Sequence, residues 1–513
     1  MRPNILVLMC DQLQARAITD TDFCDTPNLD RLRRRGVSFE RAFTPNAVCS
    51  PARASLMTGK LPHNHNVLWV THTMPHDQVG IREGLPHFAE DLARAGYTMS
   101  YVGKWHVEPS ERPSWYGWQR DRSAHSAAMA SRKPRPHGEL DPVITISGEG
   151  YRPATLAGVT SVRPEERPMG VITQLAAEEL EELAGTPDGP WCLFVSVPEP
   201  HDPYVAGEEA YAAYEGRELP IPANWHDELG GRPRVYQRAA RVFGGLSEAD
   251  RLTAARCYCA SITEIDALFG RLLGALDDRG MTENTAVVLL TDHGDYLGAH
   301  GMYCKNLGAW EEAYNVPLVI AGPGIGPGIA AEDAAGASPL VSNARVGTHA
   351  VFPSLLRYYG IPTRIDCDAP LFDDVLAAAG RAGQAGAGLA AADATGGGRD
   401  LAAADARHTD GLAEYHGGRL LLTQRVFYHG DWKLVWNGFD DHEFYNLADD
   451  PGELTNLAGA DGPALAPEGE IAAAYRDVST RMWAEIERTG DATLVNSHYV
   501  GLRASEIGPL GAL

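Results

Sequence analysis

The chain is short of positive charge. Its 513 residues carry 44 Lys and Arg against 68 Asp and Glu, a formal net charge of −24. Binding to a phosphate backbone or an anionic membrane wants a basic surface, so the balance argues against nucleic acid and membrane as partners. Apolar runs of 18 residues are also missing, which removes a spanning helix from consideration. No secretory leader is visible, because Met1-Arg-Pro-Asn runs directly into Ile5-Leu-Val-Leu-Met-Cys10, too short for an apolar leader core. The eight cysteines (10, 24, 49, 192, 257, 259, 304, 367) show no repeated CxxC spacing. They read as reduced, mostly buried thiols rather than a disulfide framework, and a cytoplasmic protein is expected. Cys257 and Cys259 lie in a helical pattern, face different ways and make poor metal partners. The shortage of cations has one further consequence. If the substrate is an anion, the site must build its own positive charge against the field of the whole molecule.

What is present is a regular alternation. Apolar runs bounded by turn residues occur at Ile5–Cys10, Met99–Val102, Cys192–Val197, Val287–Thr291 and Leu318–Ala321, and helical patterns at Leu85–Ala95, Ile172–Ala184 and Ala254–Asp278 lie between them. Continuous apolar strands alternating with helices predict an α/β fold with a large, mostly parallel sheet sandwiched by helices. Ligands then sit at the carboxyl ends of the strands. Residues 107–170, rich in Pro, Arg, Ser and Trp, read as an irregular excursion over one end of the sheet. A shift in composition divides the chain into a main α/β body at 1–376, an Ala/Gly-rich connector at 377–408 and a smaller C-terminal α+β domain at 409–513. In that last part, Gly418–Gln424, Val426–Tyr428, Trp432–Trp436 and Glu443–Asn446 read as short antiparallel strands, followed by a helix over 468–488.

Polar residues fall directly after the strand ends. Asp11-Gln12 follows the first, two oxygen-bearing side chains suited to a hard cation. Asp292-His293 repeats the theme after Val287–Thr291. Either pair alone also fits a capped turn. Between them in sequence stands Cys49-Ser50-Pro51-Ala52-Arg53, continuing Ala54-Ser-Leu-Met-Thr-Gly59.

This stretch resembles the Cys-x-Pro-x-Arg signal of type I sulfatases, and the resemblance extends along the chain. Thr26-Pro-Asn-Leu-Asp30 with Gly36-Val-Ser-Phe39, Gly103-Lys-Trp-His106, Pro198-Glu-Pro-His201-Asp-Pro203, and Thr291-Asp-His-Gly294 with His300-Gly301 and Lys305 are similar to that family's further motifs, in its order. Phe444-Tyr-Asn-Leu447, Asp450-Pro-Gly-Glu453 and Asn456-Leu457 resemble its tail. The resemblance implies an alkaline phosphatase-like fold and hydrolysis of a sulfate monoester. It implies one divalent metal held by Asp11, Gln12, residue 49, Asp292 and His293, with Ca²⁺ as the family default and Mn²⁺ or Mg²⁺ as alternatives. It further implies that a formylglycine-generating enzyme converts Cys49 to formylglycine. The hydrated aldehyde offers one oxygen as nucleophile and keeps a second to expel sulfate from the covalent hemiacetal, a service a thiol does poorly. Arg53, one helical turn on, would hold the hydrate. Lys104 and Lys305 would meet the sulfate oxygens. His106 would take the proton that collapses the adduct, and His201 with Lys305 would protonate the leaving group.

The departures are informative. Gln12 stands where many sulfatases have Asp, and His293 where they have Asn, a pattern similar to choline sulfatases and phosphonate monoester hydrolases. Phosphonate monoester or phosphodiester hydrolysis is therefore the alternative activity, against which Lys104 and His106 argue. An unmodified, non-catalytic superfamily member is the alternative of another class. The acidic balance favours a small ester over a polyanionic glycan, and the sequence leaves an oligomer open. His63 and His65 read as a solvated loop and His300 as a support for the Asp292 turn. His72 and His76 are candidates for the pocket mouth. Trp115, Tyr116 and Trp118 either contact the organic part of the substrate or pack on the body.

Overall fold

The structure is a computed structural model that describes residues 2–491 apart from 74–79, 149–150, 186–188, 306, 329–337, 387–395, 418–421, 439 and 460–461. Eight strands form the main sheet: β1 (Asn4–Cys10), β2 (Val37–Phe39), β3 (Thr98–Gly103), β4 (Arg120–Ser123), β5 (Trp191–Ser196), β6 (Thr285–Thr291), β7 (Leu318–Ala321) and β8 (Leu340–Ser342). Their order is β8-β2-β7-β6-β1-β5-β3-β4. Only β7 runs against the others, pairing antiparallel with both β6 and β2.

The near-continuous apolar strands have two buried faces to fill. Along β1, Leu6, Leu8 and Cys10 belong to one core and Ile5, Val7 and Met9 to the other, the period-2 alternation of a pleated strand. The first core is covered by helices Pro27–Arg35, Pro168–Ala184 and Glu248–Asp278. The second is covered by Cys49–Thr58, Phe88–Arg94, Val351–Tyr358 and Asp373–Gly386. This is the sandwiched α/β body that the alternation of runs predicts.

Two stretches differ from their sequence reading. Residues 107–170 are not irregular. They supply the edge strand β4, the helix Ala127–Arg132, and an antiparallel pair Leu140–Gly148 and Tyr151–Thr160 that Tyr204–Gly207 extends to three strands. The β-branched run Val143-Ile144-Thr145-Ile146 outweighs the surrounding Pro and Arg. Trp118 is buried in the second core while Trp115 is 61% exposed. The Ala/Gly-rich stretch is likewise no bare connector, because it carries the helices Asp373–Gly386 and Gly396–Asp405. Alanine is the best helix former, and Ala378, Ala379, Leu401 and Ala404 are core residues. Gly380 is there for closeness, since a Cβ on it would lie 1.9 Å from the Gly324 carbonyl oxygen.

The C-terminal part is a four-stranded antiparallel sheet, Asp410–Tyr415, Gln424–His429, Trp432–Asn437 and Glu443–Asn446, paired in chain order. The first strand thus begins before the predicted 418–424 segment, most of which lies outside the described residues. Helix Glu470–Thr489 lays Tyr475, Val478, Met482, Trp483 and Ile486 on Leu412, Phe427, Leu434 and Phe444. All eight cysteines are free and seven are buried. Among the described residues no helix is long and apolar enough to cross a membrane.

Candidate active site

Four neighbouring strands, β6, β1, β5 and β3, release the candidate residues from their carboxyl ends. β1 delivers Asp11 and Gln12, β6 delivers Asp292 and His293, β3 delivers Lys104, and the loop after β5 delivers His201. Cys49 opens the wholly buried helix Cys49–Thr58. Its position at the N-terminus puts unpaired backbone N–H groups and the positive end of the helix beside residue 49, and Pro51 is tolerated in that first turn. Gln12 and His106 both take left-handed backbone (φ 69° and 50°), as do His300 and Cys304 (φ 53° and 62°). Such conformations cost about 1–3 kcal/mol each in non-glycine residues and gather where a site demands them.

Arg53 organises the centre. Its Nε donates to Asp292 Oδ2 at 2.7 Å and its Nη2 to Asp11 Oδ2 at 2.9 Å, and all three side chains are fully buried. Its Nη1 donates to the Lys104 carbonyl at 3.0 Å and to Ser196 Oγ at 2.9 Å. Every nitrogen of the guanidinium is therefore committed to the protein. Arg53 thereby holds the two carboxylates in register. Lys104 Nζ also sits on Asp11 Oδ2, at 2.6 Å.

With their Oδ2 atoms engaged, the carboxylates turn the other oxygen inward. Asp11 Oδ1 lies 3.7 Å from Cys49 Sγ and 3.8 Å from His293 Nε2, and Asp292 Oδ1 lies 3.7 Å from His293 Nε2. His293 Nδ1 donates to the Gly294 carbonyl at 2.8 Å, which leaves Nε2 as a lone pair 3.3 Å from Cys49 Sγ. One ligand atom from each of Asp11, Cys49, Asp292 and His293 fits within 4.8 Å of the others, which suits a single divalent ion with bonds of about 2.0–2.6 Å. The donor set fits a metal in chemistry as well as in size: two carboxylates, one imidazole with a fixed tautomer, and position 49. Burial, and then Asp11, push the Asp292 carboxyl above its ordinary range. Burial pushes Asp11 the same way, but Lys104 and Arg53 outweigh it and hold that carboxyl well below its usual range. Burial and Asp11 raise the Cys49 thiol, yet Lys305, Lys104 and His293 win and leave it well below the usual thiol range.

Gln12 ties the neighbouring loops to this edge. Its Oε1 accepts from Lys305 Nζ at 2.8 Å and its Nε2 donates to Asp202 Oδ1 at 3.1 Å and to Asp295. Lys305 Nζ stands 2.5 Å from His201 Nε2, whose ring donates from Nδ1 to the Asp202 carbonyl at 2.7 Å, so one proton lies between lysine and histidine. His106 stands apart from this group. It stacks on His72 and makes no hydrogen bond to Cys49 among the described residues.

Several contributors are not singled out by the sequence reading. Asp295 accepts from Gln12, Tyr204, Leu297 N and Cys304 N, so it fixes both the amide and the turn leading to Lys305. Burial raises its carboxyl to about 6. Its signal was its place two residues after His293. Asp202 orients Gln12, and Ser196 braces Arg53. His300 bonds Asp227 and Asn224 and stacks on Trp310 at 4.0 Å, so it supports the loop before Lys305 rather than the Asp292 turn. His63 and His65 are not solvated. Both are buried, His63 against Glu414 and the Thr489 carbonyl and His65 against Ser55 Oγ. His76 lies outside the described residues.

Comparison with known proteins identifies the family. The sulfatase family profile matches residues 3–361. A choline-sulfatase from Rhizobium meliloti (strain 1021) is 29% identical over 511 residues, covering 94% of this chain and 87% of its own. An arylsulfatase from Clostridium perfringens is 28% identical over 349 residues, covering 63% of this chain and 69% of its own. The phosphonate monoester hydrolase of Agrobacterium radiobacter superposes with a TM-score of 0.72 at 20% identity, covering 95% of this chain and 96% of that one, a likeness of fold. With its site built at the carboxyl edge of such a sheet, this chain belongs to the sulfatase family and is a sulfuric ester hydrolase.

Proposed function

We propose that the chain hydrolyses a small sulfate monoester, R–O–SO3⁻ to R–OH and sulfate, with residue 49 as nucleophile after its conversion to formylglycine. One observation carries the reading: inward donors from Asp11, Asp292 and His293 converge on Cys49 at a buried helix N-terminus. The formylglycine hydrate would supply one oxygen to attack sulfur and a second to release sulfate. A divalent ion held by Asp11, Asp292, His293 and residue 49 would supply positive charge opposite the sulfuryl oxygens. Ca²⁺ suits the two carboxylates, and the imidazole nitrogen makes Mn²⁺ the alternative.

The chain's own residues do the rest. Arg53 keeps two buried carboxylates side by side that would otherwise repel. Lys104 and Lys305 give an acidic protein its local cationic pocket. His201 and Lys305, sharing one proton, protonate the leaving alcohol. His106 acts as base for release. The acidic surface, and the likeness to a choline-sulfatase over nearly the whole chain, favour a small ester and choline sulfate first among them.

The test is Cys49→Ser. A serine oxygen can accept sulfate but has no second hydroxyl to expel it, so one equivalent of alcohol should form in a burst. The peptide carrying residue 49 should then gain the mass of one sulfate. Sustained turnover at the wild-type rate would rule the mechanism out. Relative kcat/KM on choline sulfate, an aryl sulfate, a sugar sulfate and a phenylphosphonate ester separates the sulfate reading from the phosphonate one.

A further inference from the structure

His72 comes from the segment after the nucleophile helix, and Thr71 N donates to Ser50 Oγ at 3.2 Å, tying that segment to the helix. Its ring lies parallel to that of His106, with an interplanar angle of 11° and centroids 5.4 Å apart. His72 Nδ1 stands 3.3 Å from His106 Nε2. The two edges of His106 are unlike. Nε2 meets His72, which is exposed, whereas Nδ1 is buried with no partner among the described residues. The His106 backbone is fixed from another side, its N–H donating to Glu111 Oε2 at 3.1 Å in a left-handed conformation. Two imidazole nitrogens at hydrogen-bond distance share one proton, so one ring donates and the other accepts.

We propose that His72 is the positioning partner of His106: its Nδ1 accepts from His106 Nε2–H, leaves His106 Nδ1 as the free base on the buried side, and passes the proton to solvent. The inference rests on the reading of His106 as the base of the release step. A proton taken at Nδ1 makes His106 an imidazolium. Passing its Nε2 proton to His72 Nδ1 leaves His106 neutral and His72 charged at an exposed position, where water takes the proton from Nε2. Once sulfate has left, the starting tautomers return: His72 regains a proton at Nε2 from water and hands its Nδ1 proton back to His106 Nε2, while His106 gives up its Nδ1 proton to water. No electron pair or heavy atom moves in the relay. The charged and titratable groups around the pair act on the last step, the release of the proton to water. Burial first, then His106, Lys104 and Lys305, lower the pKa of His72 while Cys49 raises it, so a protonated His72 gives its proton up readily. Glu111, on the His106 side, has His125 4.0 Å away.

The test uses two variants and a readout that does not need turnover. His72→Asn keeps an acceptor near the Nδ1 position but cannot relay a proton; His72→Phe keeps the stacked ring and loses the nitrogen. In ¹⁵N-histidine-labelled protein with Cys49 unmodified, long-range ¹H–¹⁵N spectra should show His106 as the Nε2–H tautomer in wild type and His72→Asn, and as a mixture in His72→Phe. In the modified enzyme both variants should lose kcat by about 10- to 100-fold with little change in KM, and added imidazole should rescue His72→Asn. A His72→Phe protein with wild-type tautomer and wild-type kcat overturns the proposal. His106→Ala is the reference. If it is slow while His72→Phe is not, only the relay fails; if it keeps full turnover, the reading of His106 fails and takes the relay with it.

Discussion

Among the described residues the molecule holds two buried clusters of carboxylates and imidazoles, and they are built to opposite ends. At the sheet edge are Asp11, Cys49, Asp292 and His293; under the C-terminal sheet are His63, Glu414 and Asp491. Both draw donors from distant parts of the chain and both contain a buried arginine. In the second cluster Arg425 Nε and Nη2 both bind Asp491 Oδ2, at 2.7 and 2.5 Å, while Glu414 is closed by His63 on one oxygen and by His416 Nε2 at 2.8 Å on the other. The charges there are internally paired. At the sheet edge Arg53 takes only the outer oxygens; Gln12 N and His293 N donate to Asp292 Oδ1, yet the inner atoms of Asp11, Cys49, Asp292 and His293 still converge on one point. Composition does not separate a ligand site from a structural ion-pair network. The convergence of the inner donors does.

The sharpest way to break this contrast is one amide substitution in each cluster. Asp292→Asn removes an inward carboxylate while Arg53 keeps Asp11, so the fold should survive and turnover should fall on the order of 10³-fold, with divalent-ion binding lost by calorimetry. Glu414→Gln should do the reverse. It leaves Arg425 and His63 facing less negative charge in a buried place, costing about 3–5 kcal/mol of stability by denaturant melts with kcat little changed. Equal effects of both substitutions on metal affinity would dissolve the distinction.

Next in size is His201→Ala. If the His201–Lys305 pair delivers the leaving-group proton, substrates with poor leaving groups should slow by roughly 10²–10⁴-fold and activated aryl esters far less. Equal loss on both would make His201 a positioning residue. Smaller still is the effect of removing the metal. Saturation at about 100 times Kd stabilises the native state by about 2.7 kcal/mol. Chelation should therefore lower the Tm of wild type and of Glu414→Gln alike, and leave Asp292→Asn unmoved.

How far the sequence reveals this contrast depends on the kind of signal. The sheet is legible because β1, β5 and β6 are unbroken apolar runs followed at once by polar residues. The inner donors are legible for the same reason: Asp11, Asp292 and His293 each stand at the end of such a run. The task of Arg53 is not, because a spacing of four residues from Cys49 says that the two share a helix face and nothing of the two strands beyond. Asp295 and Asp202 read as ordinary turn residues until the loops close over Gln12. The second cluster is invisible for a stronger reason. His63 stands 351 residues before Glu414, with Asp491 farther on still, and a histidine in Pro62-His-Asn-His65 carries no local mark of burial. The helices within 373–405 show a competing effect, where low complexity hides a packing requirement for small side chains.

The smallest expected effect is in the pH dependence of stability that the second cluster contributes. Burial lowers the pKa of His63, but Glu414 in direct contact and Asp491 nearby outweigh it, so the folded value lies above the ordinary imidazole value of about 6.5. Burial raises Glu414, but Arg425, His63 and His416 hold it well below its usual range. The signs follow by linkage. The raised imidazole stabilises fully below its unfolded pKa, and the contribution disappears as pH rises through the folded value. The depressed carboxyl stabilises above its unfolded pKa, near 4.3, and the contribution disappears as pH falls through the folded value. Between those limits both are present, so the pair contributes most in mildly acidic solution. His63→Gln should then cost about 1.5 kcal/mol near pH 6, a loss that shrinks towards alkaline pH as wild type gives up the same contribution. Melting curves of the two proteins from pH 5 to pH 9 measure this directly. A constant gap across the range would mean that His63 is held neutral, and that Glu414 relies on Arg425 and His416 alone.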